Sequence, residues 1–291
     1  MKIFRDELRK RDFVITAECF LNPETDAESI RHQTDVLRDC VDGVVLTDNQ
    51  HGQIHMNTIA AARLVLDNGV DPIVQMSCRN RNRLALVADL LGASALGINN
   101  VLLIRGSQVP PAITPRPKAV MDMTVSDLIT TASRLKEDRK LGAAADFLVG
   151  STMTIHSPEA GWVPEKLTRK IDAGAQFIVA LGNMDVEALQ AHMSHLIAAK
   201  LTRRASVIAS TFILTSAEDA RWLRDHRPNY EIPDSIVRRL EKASDPREEG
   251  LAICAEHLSQ LARTPGISGA NIIASTNLVL VPEVINAADL N

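Results

Sequence analysis

Glu18 ends the apolar run Phe13, Val14, Ile15 and Ala17, which suits a strand covered on both faces. A carboxylate at such a tip is costly out of water unless it is paired, protonated or used. Burial raises its pKa, keeps it protonated near neutrality and makes it a general acid. The alternative is a structural glutamate paired with an arginine such as Arg79 or Arg105.

Other chemistry-bearing residues fall at similar places. Asp48 and Asn49 in "LTDNQHGQIH" could hydrogen-bond a heterocycle, and Ser77 joins them as a candidate substrate ligand. His51 and His55 are four apart, a spacing that puts two ligands on one helix face. There is no HExxH and no evident third ligand, so a loop running into a helix start is the preferred reading and no metal is expected. Arg79, Arg81 and Arg83 cluster at a helix start, where cations oppose the dipole. They read either as a solvated face or as an anion or carboxylate contact. Arg105-Gly106 offers a planar donor fork beside a residue that permits close backbone approach. Lys166, Arg169 and Lys170 share one helix, as surface lysines do or as a phosphate contact does.

The elements that must position these residues alternate along the chain. Strands are predicted near 13–18, 43–47, 72–77, 100–105, 146–152, 176–181, 206–211 and 269–275. "DGVVLTD", "NNVLLIRG" and "AQFIVAL" are β-branched or leucine-rich runs bordered by turn residues. Between them lie helical stretches. "PETDAESIRHQTDVLRDCV" opens on Pro and acids, "NRNRLALVADLLGASALG" ends on Gly97 as a C-cap, and "TVSDLITTASRLKEDRKLG" starts on a capping Thr124 and ends on Gly142. A spacing of roughly 30 residues fits an α/β fold of the (β/α)8 TIM-barrel type. A doubly wound sheet is the alternative, but no GxGxxG follows the first strand. The chain, 1–291, reads as one barrel domain with an extra helical segment around 215–265, in which three helices are expected. The stretch "GSQVPPAITPRPKAVMDM" is the other long connection, and such loops shape a barrel's mouth.

Barrel sites lie at the C-terminal strand ends. There the sequence places Glu18; Thr47, Asp48 and Asn49; Gln75, Ser77 and Arg79; Arg105, Gly106 and Ser107; Thr152 and His156; Leu181 and Asn183; Thr211; and Ser275 with Thr276. Polar tips on apolar interiors are what a ligand pocket looks like in sequence.

Composition narrows the partners. The 291 residues are 45% hydrophobic and 23% charged with net charge -4, so a polyanion partner is not indicated. Aromatics at 3% are too few for a base-stacking platform. Cys19, Cys40, Cys78 and Cys254 show neither a CxxC nor a disulfide framework, which fits a reducing cytoplasm. The start "MKIFRDELRKRD" lacks a signal peptide's apolar core, and no run is apolar enough to span a bilayer. A cytoplasmic protein with no nucleic-acid or membrane partner is expected, as a homo-oligomer.

Taken together, "AECFLNP", "LTDNQ", "QMSCRNRNRLALVADLLGASALGINNVLLIRG", "RKIDAGAQFI" and "EEGLAICAEHLSQL…GISGANIIAS" resemble methylenetetrahydrofolate reductases, nearest to the short single-domain bacterial form. The resemblance covers nearly the whole chain in order. Its specific parts are Gln75 to Gly106 and "KIDAGA".

What the resemblance implies is a barrel holding a flavin, usually FAD, at its strand ends. NAD(P)H serves as electron donor or acceptor, and a folate's one-carbon unit exchanges hydride with the flavin. Glu18 matches the family's glutamate, which supplies the proton that opens the folate's five-membered ring. Thr47, Gln75, Arg105 and Gly106 fall where family residues line the flavin, His156 matches a histidine in a similar turn, and Lys170 matches a lysine that meets the cofactor's phosphates.

This chain departs from the family at three places. Ser107 stands where the family has an aspartate near flavin and pterin, and is carried over as a cofactor contact. Leu181 stands where a glutamine reads the pterin, and a leucine cannot make that bond. The family's aromatic after strand seven is not evident in "TFILTSAEDA". These departures leave open the reverse oxidation of methyltetrahydrofolate, a changed substrate, or a non-catalytic flavin- or folate-binding subunit of a larger complex. A Schiff-base lyase is disfavoured, since no lysine falls at a strand end.

Overall fold

The computed structural model describes residues 1–109, 113–137, 145–159, 161–227, 229–274, 277–288 and 290. Eight strands pair in parallel and close on themselves in the order β1 to β8. They are β1 (Val14–Cys19), β2 (Gly43–Leu46), β3 (Pro72–Ser77), β4 (Asn100–Ile104), β5 (Leu148–Met153), β6 (Phe177–Ala180), β7 (Ser206–Ile213) and β8 (Ile267–Ala274). A helix, α1 (Phe4–Lys10), precedes them. Around them stand α2 (Ala27–Leu37), α3 (Thr58–Asp67), α4 (Arg83–Ala95), α5 (Val125–Arg134), α6 (Glu165–Asp172), α7 (Val186–Ala198), α8 (Ala217–His226), α9 (Asp234–Lys242), α10 (Pro246–Arg263) and α11 (Leu280–Ala287). This is a (β/α)8 TIM barrel.

Strand side chains alternate between the barrel interior and the helix layer. Val14, Val45, Ile73, Leu102, Leu148, Phe177, Val179 and Ile208 form one inner cluster, and Phe4 of α1 joins it from below. The Phe4 ring meets Phe177 edge-on at 5.6 Å. The Asp71 carboxylate accepts the Phe4 N–H at 2.8 Å. Asp42 accepts the Ile15 N–H at 2.9 Å and pairs with Lys2 and Arg11. The lower half of the barrel is therefore filled with apolar side chains.

Local signals set the helix boundaries. The second helix begins later than its leading proline suggests, because Asp26 caps it by accepting the Ser29 N–H. Thr124 and Asp127 form a reciprocal capping box on α5. Gly97 adopts φ +77 just past α4, as a C-terminal glycine does. Gly142 lies outside the described residues, as do Ser275 and Thr276. The expected three helices of 215–265 are α8, α9 and α10. They enclose a second apolar cluster of Met184, Phe212, Leu214, Ala220, Leu223, Ile232, Val237, Leu240 and Ile253.

Phe4 is fully buried against the barrel floor. Phe4→Ala is expected to lower unfolding stability by about 3–5 kcal/mol, the usual cost of removing a core phenyl ring. Urea denaturation checks this, and a loss under about 1 kcal/mol would mean that α1 does not plug the barrel.

Candidate active site

Three adjoining clefts occupy the mouth. The first, about 460 Å³, is lined by Glu18, Phe20, Leu21, Thr47, Gln50, His55, Asp219, Trp222, Arg227, Tyr230 and Ile273 among others. The second, about 410 Å³, includes Asp48, Gln75, Arg79, Arg105, Gly106, Ser107, Thr152, Thr154 and Leu181. Gln50, Arg227 and Tyr230 line both of these. The third, about 440 Å³, holds His156, Trp162, Lys166, Arg169, Lys170 and His192, and shares Thr152 and Thr154 with the second.

Glu18 projects inward from β1, two residues above Thr16. It makes no ion pair with Arg79 or Arg105; its bond within the wall is from Asn271 Nδ2 of β8 to Oε1, at 3.2 Å. Burial drives its pKa from about 4.5 up to about 7, against smaller opposing effects of the Asn271 bond and the Arg227 charge. A carboxyl with this pKa is present both as acid and as base near neutrality.

Asp48 meets a different fate. Its carboxylate is held by both Arg81 guanidinium nitrogens at 3.0 and 2.9 Å and by the Ser77 N–H at 2.7 Å. Arg81 also pairs with Asp89 at 2.9 Å. The carboxylate contact expected of the arginine cluster is thus internal. Arg79 corrects the solvated-face alternative: it is only 2% exposed. Its guanidinium donates to the Asn49 carbonyl at 2.7 Å, the Ser107 carbonyl at 3.0 Å and the Asn80 side chain at 2.8 Å. It ties together the loops that follow β2, β3 and β4. Gly106 sits beside it at φ +90, and a Cβ there would lie 2.7 Å from the Arg79 Cβ.

Asn49 and Ser77 line none of the three clefts. The Asn49 side chain donates to the Gln53 carbonyl at 2.8 Å, and its N–H to His55 Nε2 at 2.9 Å. Ser77 is fully buried, with its Oγ unpartnered. His55 Nδ1 lies 2.7 Å from the Met56 carbonyl, so both of its ring nitrogens are engaged. Nothing is described of the His51 side chain, and no metal-binding group occurs among the described residues. Thr211 turns outward to His257 of α10, at 2.8 Å, and is not a mouth residue.

Gln75 Oε1 accepts the Asp48 N–H at 3.0 Å, which leaves its amide NH2 as a donor. Lys170 donates to the Thr152 carbonyl. Burial, then the nearby Lys166 charge, holds the Lys170 pKa below its ordinary value. Trp162 packs against His156 and His192 with ring centres 4.8 and 4.9 Å away. Burial lowers the His192 pKa.

Residues 229–232 cross the mouth. Glu231 pairs with the chain after β6, its N–H bonding the Gly182 carbonyl at 3.0 Å and its carbonyl accepting the Met184 N–H at 2.9 Å. Tyr230 packs on Phe212 with ring centres 4.8 Å apart. Phe212 reaches this position because residue 182 is glycine; a Cβ there would lie 2.0 Å from the phenyl ring. The Tyr230 hydroxyl accepts from the Gln50 amide at 3.3 Å, so the phenol divides the first cleft from the second. Arg227 lies 5.1 Å from the Trp222 ring centre.

Sequence reasoning missed Asn271, Arg79 as a clamp, Trp222, Arg227, Tyr230 and His192. Composition held one signal: the chain has two tryptophans and one tyrosine, and all three line these clefts. Asn271, a lone amide in the apolar run "GANIIAS", was another.

A closed parallel barrel with an ionisable carboxyl and a row of polar tips around its C-terminal mouth belongs to the class of barrel enzymes that act on small molecules. The family model for methylenetetrahydrofolate reductase matches residues 3–286, and the chain belongs to that family. No curated protein matches it. Among solved structures, an uncharacterised protein from Clostridium thermocellum that binds two copies of 5-methyl-5,6,7,8-tetrahydrofolic acid superposes with TM-score 0.67 at 15% identity, over 98% of this chain and 96% of that one. EDTA monooxygenase (EmoA) from Chelativorans sp. BNC1 gives 0.55 at 11%, over 96% and 92%. DmoA from Hyphomicrobium sulfonivorans gives 0.54 at 11%, over 94% and 86%. These likenesses establish the barrel. No described helix is long and apolar enough to cross a membrane.

Glu18 is expected to make stability pH-dependent. Its carboxyl binds a proton more tightly folded, at about 7, than unfolded, near 4.5. Stability therefore falls as pH rises through that window. Glu18→Gln should flatten the fall and leave the variant more stable than the parent above pH 7. Urea midpoints across the window test this, and parallel curves for the two proteins would rule out the raised pKa.

Proposed function

We propose that this chain is a flavin-dependent oxidoreductase interconverting 5,10-methylenetetrahydrofolate and 5-methyltetrahydrofolate in one-carbon metabolism. FAD is its cofactor, NAD(P)H its electron donor or acceptor, and Glu18 its general acid and base. The observation that carries this is Glu18 itself. It makes no ion pair among the described residues, burial raises its pKa to about 7, and it faces a cleft that adjoins the polar groove of Gln75, Arg105 and Gly106.

The residues present fit a flavin. The second and third clefts form one elongated groove through Thr152 and Thr154. At one end are the Gln75 amide donor and the Gly106 backbone, which suit a planar ring with carbonyl acceptors. At the other end Lys166, Arg169 and Lys170 suit a diphosphate. A flavin bound there would supply the hydride donor or acceptor.

The chain's own part is proton management and enclosure. Glu18 delivers its proton to a ring nitrogen of the methylene-folate, a poor leaving group until protonated. In the opposite direction the carboxylate takes the proton back. The Arg227 charge steadies the carboxylate between these events, and the Asn271 bond serves both states. Trp222, Leu223 and Ile273 give the Glu18 cleft an apolar wall.

A second reading is a folate-binding barrel without reductase activity. Two observations favour it: the Ser107 carbonyl and hydroxyl both accept from Arg79, and Leu181 brings no polar atom to the groove. The Clostridium thermocellum protein's two bound folates are compatible with it.

Purified protein is expected to be yellow, to release FAD on denaturation, and to turn over the folate. Glu18→Gln is expected to keep the flavin spectrum while folate turnover drops by about 10²-fold or more, the usual range for removing a general acid. Undiminished turnover rejects the role of Glu18. A colourless protein that binds methyltetrahydrofolate but takes up no added FAD favours the second reading. Lys170→Met is expected to weaken FAD binding about tenfold, in keeping with the loss of one partly screened phosphate contact. Flavin-fluorescence titration checks that.

A further inference from the structure

We propose that Asn271 and Thr16 are a positioning pair that keeps the Glu18 proton on Oε2, the oxygen facing the cleft, and off Oε1, the oxygen against the wall. The proposal rests on the reading of Glu18 as general acid and adds how that acid is aimed.

Thr16 and Asn271 are paired neighbours on β1 and β8, and they are 1% and 0% exposed. Thr16 Oγ1 donates to Asn271 Oδ1 at 2.9 Å; its other acceptor, the Ala270 carbonyl, is farther at 3.4 Å. A hydroxyl has one proton to give. Once it is given to Oδ1, the amide is oriented with its NH2 toward Glu18. Asn271 Nδ2 then donates to Oε1 at 3.2 Å.

An oxygen that accepts from an amide N–H cannot also point its own O–H along the same line. Oε1 is therefore an acceptor whether Glu18 is charged or neutral. The acidic proton resides on Oε2, which has no partner among the described residues and belongs to a side chain that lines the first cleft. A flipped amide would reverse this: its Oδ1 would accept the Glu18 O–H and draw the proton into the wall. Thr16 opposes the flip: its Oγ1 could accept from a flipped NH2, but its own proton would then have to leave the 2.9 Å bond to Oδ1 for the Ala270 carbonyl at 3.4 Å.

Other groups around Glu18 do not perform this task. Arg227 approaches from the C-cap of α8, Tyr230 from the crossing segment, Thr47, Gln50 and His55 from β2 and the chain after it, and Asp219 from α8. Arg227 acts on the carboxylate through its charge. It favours ionisation and does not select an oxygen.

The test has two arms. In the first, the Glu18 carboxyl is titrated in ligand-free protein by difference infrared spectroscopy, with Glu18→Gln as the blank. Asn271→Leu removes the donor and is expected to raise the midpoint by about one pH unit, tenfold in proton affinity. An unmoved midpoint overturns the contact. In the second arm, Thr16→Val leaves Asn271 free to flip. The expected result is a several-fold lower kcat for folate turnover with KM little changed, and kcat equal to the parent's overturns the aiming role. If Asn271→Leu does not fold, Thr16→Val carries the titration as well, and a shifted midpoint is expected there. Should Glu18→Gln itself retain full turnover, the general-acid reading falls and the aiming role falls with it, while the infrared midpoint still decides whether Asn271 and Thr16 govern the Glu18 proton.

Discussion

Inward side chains of β1 to β7, capped from below by Phe4, fill the lower barrel, and everything at the mouth depends on that filling. A packed floor leaves no space for ligand inside the lower barrel, so a site built on the barrel interior opens at the C-terminal strand ends. It also fixes which positions can be polar. Two residues above Val14 is Thr16, and two above that is Glu18, so the period of the strand carries the chain from core to chemistry within five residues. Asp42 and Asp71 do the complementary work at the opposite end, where their carboxylates accept backbone N–H groups of β1 and α1.

Two carboxylates stand at neighbouring strand tips and are used in opposite ways. Asp48 is almost fully enclosed and is matched by a bidentate guanidinium and a backbone donor. Deleting one partner of such a pair costs several kcal/mol, so it serves as a fixed tie between β2, β3 and α4. Glu18 receives one amide bond and a more distant positive charge. That is too little to offset its desolvation, and the surplus appears as a proton held near neutral pH. A carboxylate that is fully paired is fixed as a charge; one that is under-paired is left able to exchange its proton.

Much of this was legible in the sequence because it is local. Strand runs such as Asp42–Asp48 and Asn99–Gly106 carry their own periodicity and borders, and the observed strands agree within about two residues. Glu18 stood out because a charged residue followed an apolar run. What could not be read was set by partners far along the chain. Asn271 is 253 positions from Glu18, Tyr230 is 180 from Gln50, and Arg79 joins three loops. The cluster Arg79, Arg81 and Arg83 reads in sequence as one feature, a solvated face or an anion or carboxylate contact. Closure of the barrel separates it into a buried clamp, an ion pair and an exposed residue. No aromatic stands immediately after β7, and Trp222 and Tyr230 come to the cleft from farther along, carried by a segment with its own apolar cluster.

The distribution of indole rings has an optical consequence. The two tryptophans stand at opposite ends of the row of clefts, Trp222 beside Glu18 and Trp162 beside Lys170. The barrel wall holds none. Intrinsic tryptophan emission from this protein therefore originates at its mouth, one source beside the Glu18 carboxyl and the other beside the cation cluster. The molecule carries two built-in reporters, and the quenching of one without the other would tell which end of the groove a ring system has entered.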